Sequence, residues 1–234
     1  MKSKIAIFAA ILLASSLAFS GQETKNLNLP VEGIDKLEID CGAGFLKVQG
    51  MEGLDAIEVK AEIFVRGVDD KDMKNFIEDH VKLTLEKKGS RAVLVSGVKD
   101  RPFFFFRDAR IDLTVNVPRK MEMGIDDGSG SIVLAHIMGN LSIEDGSGEI
   151  QVEDVQGNLE IDDGSGEIEV RTVSGDVTID DGSGSLSVSD IGGSLTVDDG
   201  SGSIDIDGVA KDLILKETGS GGLHFQNIKG QVIK

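Results

Sequence analysis

From Met121 onward, apolar residues fall at every second position in short groups. Leu141 and Ile143 form one, Ile150 and Val152 the next, then Leu159 with Ile161 and Ile168 with Val170, each with polar or acidic residues between. A period of two over so few residues predicts short β-strands with one buried face. Glycine interrupts each group at a fixed interval: Gly128, Gly146, Gly164, Gly182 and Gly200 are 18 residues apart, and Gly219 follows after 19. Each unit divides again into nines, "GSGEIQVED" before "VQGNLEIDD" and "GSGEIEVRT" before "VSGDVTIDD". Both halves carry a glycine and an apolar-x-apolar core.

One such strand pair cannot bury its own apolar face. Stacking coil on coil solves this, because every backbone group then pairs with the coil above and below. The pattern therefore predicts an all-β fold, a single-stranded β-solenoid with 18-residue, two-strand coils. Val170, Val177 and Ile179 should point inward, and Glu169 and Thr178 outward. One corner is Asp-Asp-Gly-Ser-Gly; the other carries an inward Val or Ile before a glycine, as in "VQG", "VSG" and "IGG".

The first half is related but irregular. "LEIDCGAGFLKVQG", starting at Leu37, parallels "LEIDDGSGEIEV", so a first coil is expected there. An α+β insertion should follow it: a long strand in "AIEVKAEIFVRG", a short helix in "DDKDMKNFIEDHV" opened by Asp69 or Asp70, and a hairpin about Lys88 and Gly89. "ARIDLTVNVPRKMEM" returns to strand, with Pro118 at its end. The organisation expected is 1–20 signal peptide, 21–120 first coil plus insertion, and 121–234 regular repeats. The leader reading rests on Lys2 and Lys4, the apolar run from Ile5 to Ala14 and the small residues up to Ser20. With no other segment apolar enough to span a bilayer, an exported protein of the periplasm or cell surface is expected.

"LEIDCGAGFLKV", "IDLTVNVPRKMEMGIDDGSGSI" and the Gly-Ser-Gly coils after it resemble the "putative adhesin" family of bacterial β-strand-repeat proteins, over roughly Leu37 to Lys234. The resemblance implies a β-solenoid exposed in the envelope or at the cell surface, with an adhesin-like role. The corners here are more acidic and more regular than that pattern.

Charge sharpens the picture. Of the net −17, residues 121–207 carry 21 acidic side chains against Arg171 alone, whereas residues 21–120 are nearly balanced, with 18 acidic and 17 basic. Such a region repels nucleic acid and attracts cations or basic partners. A single cysteine, Cys41, allows no internal disulfide, and the absence of Trp and Tyr removes the usual aromatic platforms for sugar binding.

Two acidic columns follow from the stacking. Asp127, Asp145, Asp163, Asp181 and Asp199, each before the turn glycine, are expected to accept hydrogen bonds from backbone N–H groups just ahead. Asp126, Glu144, Asp162, Asp180 and Asp198 lie on the outward phase, where like charges repel along the ladder. Bound Ca²⁺ would relieve that repulsion, so a weak calcium ladder is one expectation for this column and plain solvation the other. The calcium-binding nonapeptide repeat places its Asp after the glycines, unlike "DDGSGEI". Acids that repeat identically, with no neighbouring His, Lys or Arg to set their pKa values apart, are not the singular pair an acid–base enzyme needs, so no enzyme is expected. His80, His136 and His224 form no ligand spacing. Phe103, Phe104, Phe105 and Phe106 offer either core packing or an exposed contact point. These features point to a non-enzymatic binding scaffold whose partner is an unknown protein or envelope ligand. The alternatives are an envelope regulatory or stress-response accessory acting through one protein partner, and a Ca²⁺-dependent structural module. Open solenoid ends add self-association through the C-terminal coil.

Overall fold

A computed structural model describes residues 21–99 and 109–234 of the chain. The leader at residues 1–20 and the Phe103–Phe106 run lie outside the described residues. Leu141–Asp145, Leu159–Asp163, Val177–Asp181 and Leu195–Asp199 run parallel and side by side. So do Gly148–Val155, Gly166–Val173, Gly184–Ile191 and Gly202–Val209. Register follows the repeat: Ile150 faces Ile168, then Leu186, then Ile204. The chain is a β-solenoid that alternates at each corner between two ten-stranded sheets.

The sheets enclose one apolar core. Ile143, Ile161, Ile179 and Val197 enter it from one side and Ile150, Ile168, Leu186 and Ile204 from the other, none more than 2% exposed. Each such side chain contributes ~1.5–3 kcal/mol by leaving water. Val155, Val173, Ile191 and Val209 fill the second corner. From the coil of Ile132–Ile137 onward that corner turns through a left-handed residue, His136, Asp154, Thr172, Asp190 and Asn227 with φ between 54° and 63°, and Gly208 at 85°.

In the first half, stacking order departs from chain order. Lys36–Ala43 and Leu46–Met51 form a coil directly against Glu122–Ser129 and Ile132–Ile137. The intervening chain then doubles back: Arg91–Val98 adds in parallel to the far side of Lys36–Ala43, and Ala109–Pro118 to that of Leu46–Met51. Half of the segment expected as an irregular insertion is thus a coil in its own right, placed before the first one in space. An apolar alternation says that a strand will stack, not on which side.

The remainder closes the N-terminal end. Ala56–Val65 and Gly21–Pro30 extend one sheet antiparallel, and Val81–Lys88 forms a hairpin with Arg91–Val98 on the other. The helix Asp70–His80 starts where the Asp69 carboxylate accepts from the Asp72 N–H at 3.3 Å. Val68, Met73 and Ile77 join the core and seal this end. Just beyond Pro118, Arg119 fastens the returning chain: it donates to Asp154 at 3.0 Å, to Glu52 at 3.3 Å and to the His136 carbonyl at 3.2 Å. Among the described residues no helix is long and apolar enough to cross a membrane.

Candidate functional site

The Asp-Asp-Gly-Ser-Gly corner carries the two columns side by side, and the alternation of the strand separates their environments. Asp162 follows the inward Ile161 and so faces water; Asp163 returns to the inward phase. In register, Asp126, Glu144, Asp162, Asp180 and Asp198 form the outer ladder. Asp198 lies 4.0 Å from the Lys216 ammonium, and the others of this ladder are exposed. At the ~4.8 Å strand spacing, two unit charges repel by about 0.9 kcal/mol in bulk water. Among the described residues no group of three or more His, Cys, Asp or Glu side chains is placed to hold a metal ion. The expected calcium ladder therefore has no protein-built cage there.

The inner ladder holds the greater strain. Asp127, Asp145, Asp163, Asp181 and Asp199 are between 0% and 6% exposed. One carboxylate oxygen of each of the last four accepts from the serine N–H two residues on, at 3.3, 3.2, 2.9 and 3.1 Å. The other oxygen, Oδ2, is buried without a hydrogen-bond partner in all five. Burial pushes the carboxyls of Asp127, Asp145, Asp163 and Asp181 up to about 6. The charge of a stacked neighbour adds to that rise for Asp145, Asp163 and Asp181. Asp199 is raised by burial too. Below Asp127 the column continues as Cys41, whose thiol is raised first by burial and then by Asp127. The alternation Leu159-x-Ile161-x-Asp163 already contained this burial, because it puts the second aspartate in phase with the core.

A second polar ladder, absent from the expectations, runs along the opposite corner. Asn140 accepts from the Asn158 N–H at 3.0 Å, Asn158 from the Asp176 N–H at 3.0 Å, and Asp176 from the Ser194 N–H at 2.8 Å. Asp212 accepts from the Gln231 N–H in the same way. That bond from Ser194 is the first reason Asp176 is held below the usual carboxylate range, and Lys211 helps. Its signal was the short polar residue recurring every 18 positions after the corner glycine, as in "GN", "GN" and "GD". Asn158→Ala removes one rung, which should lower stability by ~1 kcal/mol in a urea unfolding titration. An unchanged midpoint would show the ladder to be decorative.

The histidines are not brought together. His80 ends the helix, His224 is exposed on a terminal strand, and His136 contacts Asp154 at 2.7 Å. With Arg119 and Glu52 that pair lines a shallow hollow of about 360 Å³, and the Arg119 guanidinium is already spent on Glu52, Asp154 and the His136 carbonyl.

No family model matches the chain, and no curated protein matches it. Among solved structures, one described as a "putative cell adhesion protein" from Clostridium sporogenes is similar over 91% of this chain and 98% of that one, at 14% identity and a TM-score of 0.39. A "putative adhesin" from Bacteroides fragilis aligns over 91% and 97%, at 12% identity and 0.40. A "putative lipid binding protein" from Parabacteroides distasonis aligns over 91% and 97%, at 13% identity and 0.40.

Proposed function

We propose that the chain is an exported, non-enzymatic binding scaffold of the bacterial envelope, adhesin-like in that it presents a repeating surface to a repeating partner. The observation that carries this reading is the outer carboxylate ladder. Glu144, Asp162, Asp180 and Asp198 are held at the strand spacing by a closed, apolar-cored body. A rigid row of like charges loses little side-chain or backbone freedom on binding, and its contacts add along the row. Its fitting partner is a polymer or surface that repeats positive charge, because the same field repels nucleic acid and anionic lipid.

The test compares beads coated with the folded chain on a polylysine surface. Wild type should bind at low ionic strength and release as salt shortens the Debye length. A variant with Glu144→Gln, Asp162→Asn, Asp180→Asn and Asp198→Asn should lose most of the binding while its melting stays cooperative. Full retention by that variant would contradict the role given to this ladder.

A further inference from the structure

Five carboxylates in a core corner need an explanation that the binding surface does not supply, because they do not reach that surface. Ordinary buried acids are paired with a cation or fully hydrogen-bonded. These are not: each has one oxygen buried and unpartnered. Beyond the backbone N–H bonds to their other oxygen and, for Asp127, the Cys41 thiol, the groups packed around them bring no compensating charge. Across the core stand Ile132, Ile150, Ile168, Leu186 and Ile204, all apolar. Along the chain come the outer carboxylates Asp126, Glu144, Asp162, Asp180 and Asp198, of the same sign. Past the turn follow exposed Glu149 and Glu167. Below Asp127 sit Cys41 and, beside it, Asp40; Asp199 faces Thr218, next to Glu217. Lys216 is engaged with Asp198 on the outside. Among the described residues, no ion pair reaches the inner column.

We infer that the inner aspartate column is a proton-operated spine: mild acidification neutralises the stacked carboxylates and tightens the solenoid, so the chain holds together better in mildly acidic surroundings than at neutral pH. What it takes up is the simplest ligand able to satisfy a buried, unpartnered carboxylate oxygen without a cage. A proton removes the charge that burial penalises and the repulsion between rungs at once.

The direction follows from linkage. Each of these acids is held higher when folded, at about 6 for Asp127, Asp145, Asp163 and Asp181, than the ordinary aspartate value of 3.8 that describes the unfolded chain. Between those values the folded state binds more protons, so stability falls as pH rises from about 4 through about 6, then levels off. Ordinary acid unfolding runs the other way. Exposed carboxylates in general titrate near ~4, below this window. Histidine is the side chain that can confuse it, and His136, at the opposite corner beside Asp154, is left intact in every variant below.

The experiment is a melting series on the full chain from about pH 7.5 to about pH 5, where we expect the wild-type melting temperature to rise by more than ~5 °C. The inner variant Asp145→Asn, Asp163→Asn, Asp181→Asn should melt higher than wild type at neutral pH and lose most of the rise. The outer variant Asp162→Asn, Asp180→Asn should keep it. A wild-type melting temperature that stays flat or falls on acidification overturns the inference, as does an inner variant with the full rise. Should the inner variant not fold, infrared spectra of wild type decide: a protonated-carboxyl band growing in with a midpoint near 6 is expected, and its absence above pH 5 overturns the inference. These readouts are indifferent to whether the outer ladder binds a partner, so either proposal can fail alone.

Discussion

Gly166→Ala is expected to abolish the cooperative melt, while Gly97→Ala leaves it in place. Gly166 opens a strand at φ 156°, where side chains are rarely tolerated. A methyl group there would lie 1.5 Å from the Gly148 carbonyl oxygen one coil away. That neighbour is backbone, itself fixed by the next coil, so no rotamer change makes room. The same closeness recurs at Gly148, Gly184 and Gly202, so the first corner has nowhere to shift. The loss should exceed ~4 kcal/mol, the range reserved for named steric or burial failures. At Gly97 an added methyl meets nothing within 4 Å and the backbone is ordinary, so the change should be neutral or stabilising by up to ~1 kcal/mol. Far-ultraviolet circular dichroism melts of the two variants check this. A folded Gly166→Ala with near-native melting would mean that the coils do not stack as closely as described.

These glycines also show how the fold was written in the chain. The turn glycine at an 18-residue interval gave both coil length and corner, and the apolar-x-apolar halves gave two sheets; both are purely local signals that stacking only multiplies. The stacking order of the first half was not local. Whether 91–118 lies before or after 36–51 depends on which open edge it meets, and both edges offer the same apolar columns. The candidate site divides in the same way. The aspartate before each turn glycine was legible as a turn acceptor, since an Asx-type bond needs only its own next residues. Its burial was legible from phase but masked by residue type, because aspartate is read as solvated by default. The Asn158 ladder escaped because its hydrogen bonds join residues 18 apart, and its members differ in type from rung to rung.

The second large effect concerns the modularity of the coil. A solenoid contact exists between neighbours, so removing one whole unit should cost one coil's share of the core and leave every register intact. Removing residues 164–181 joins Asp163 to Gly182, which restores "IDDGSG" at the seam and puts Ile168's former neighbour Leu186 against Ile150. Removing residues 164–172 instead joins Asp163 to Val173 and deletes the Gly-Ser-Gly corner. Every downstream strand then arrives at the wrong sheet, so the aspartate corner meets the valine corner throughout. The lost core packing cannot be recovered by a slip, because the half-units share spacing but not their inward residues.

The paired deletion is therefore the most direct test of the 18-residue coil as the folding unit, read as thermal melts of both purified chains beside wild type. The 18-residue deletion should give a cooperative, β-rich melt and the nine-residue one no cooperative transition. A cooperative melt from both, or from neither, would contradict that unit.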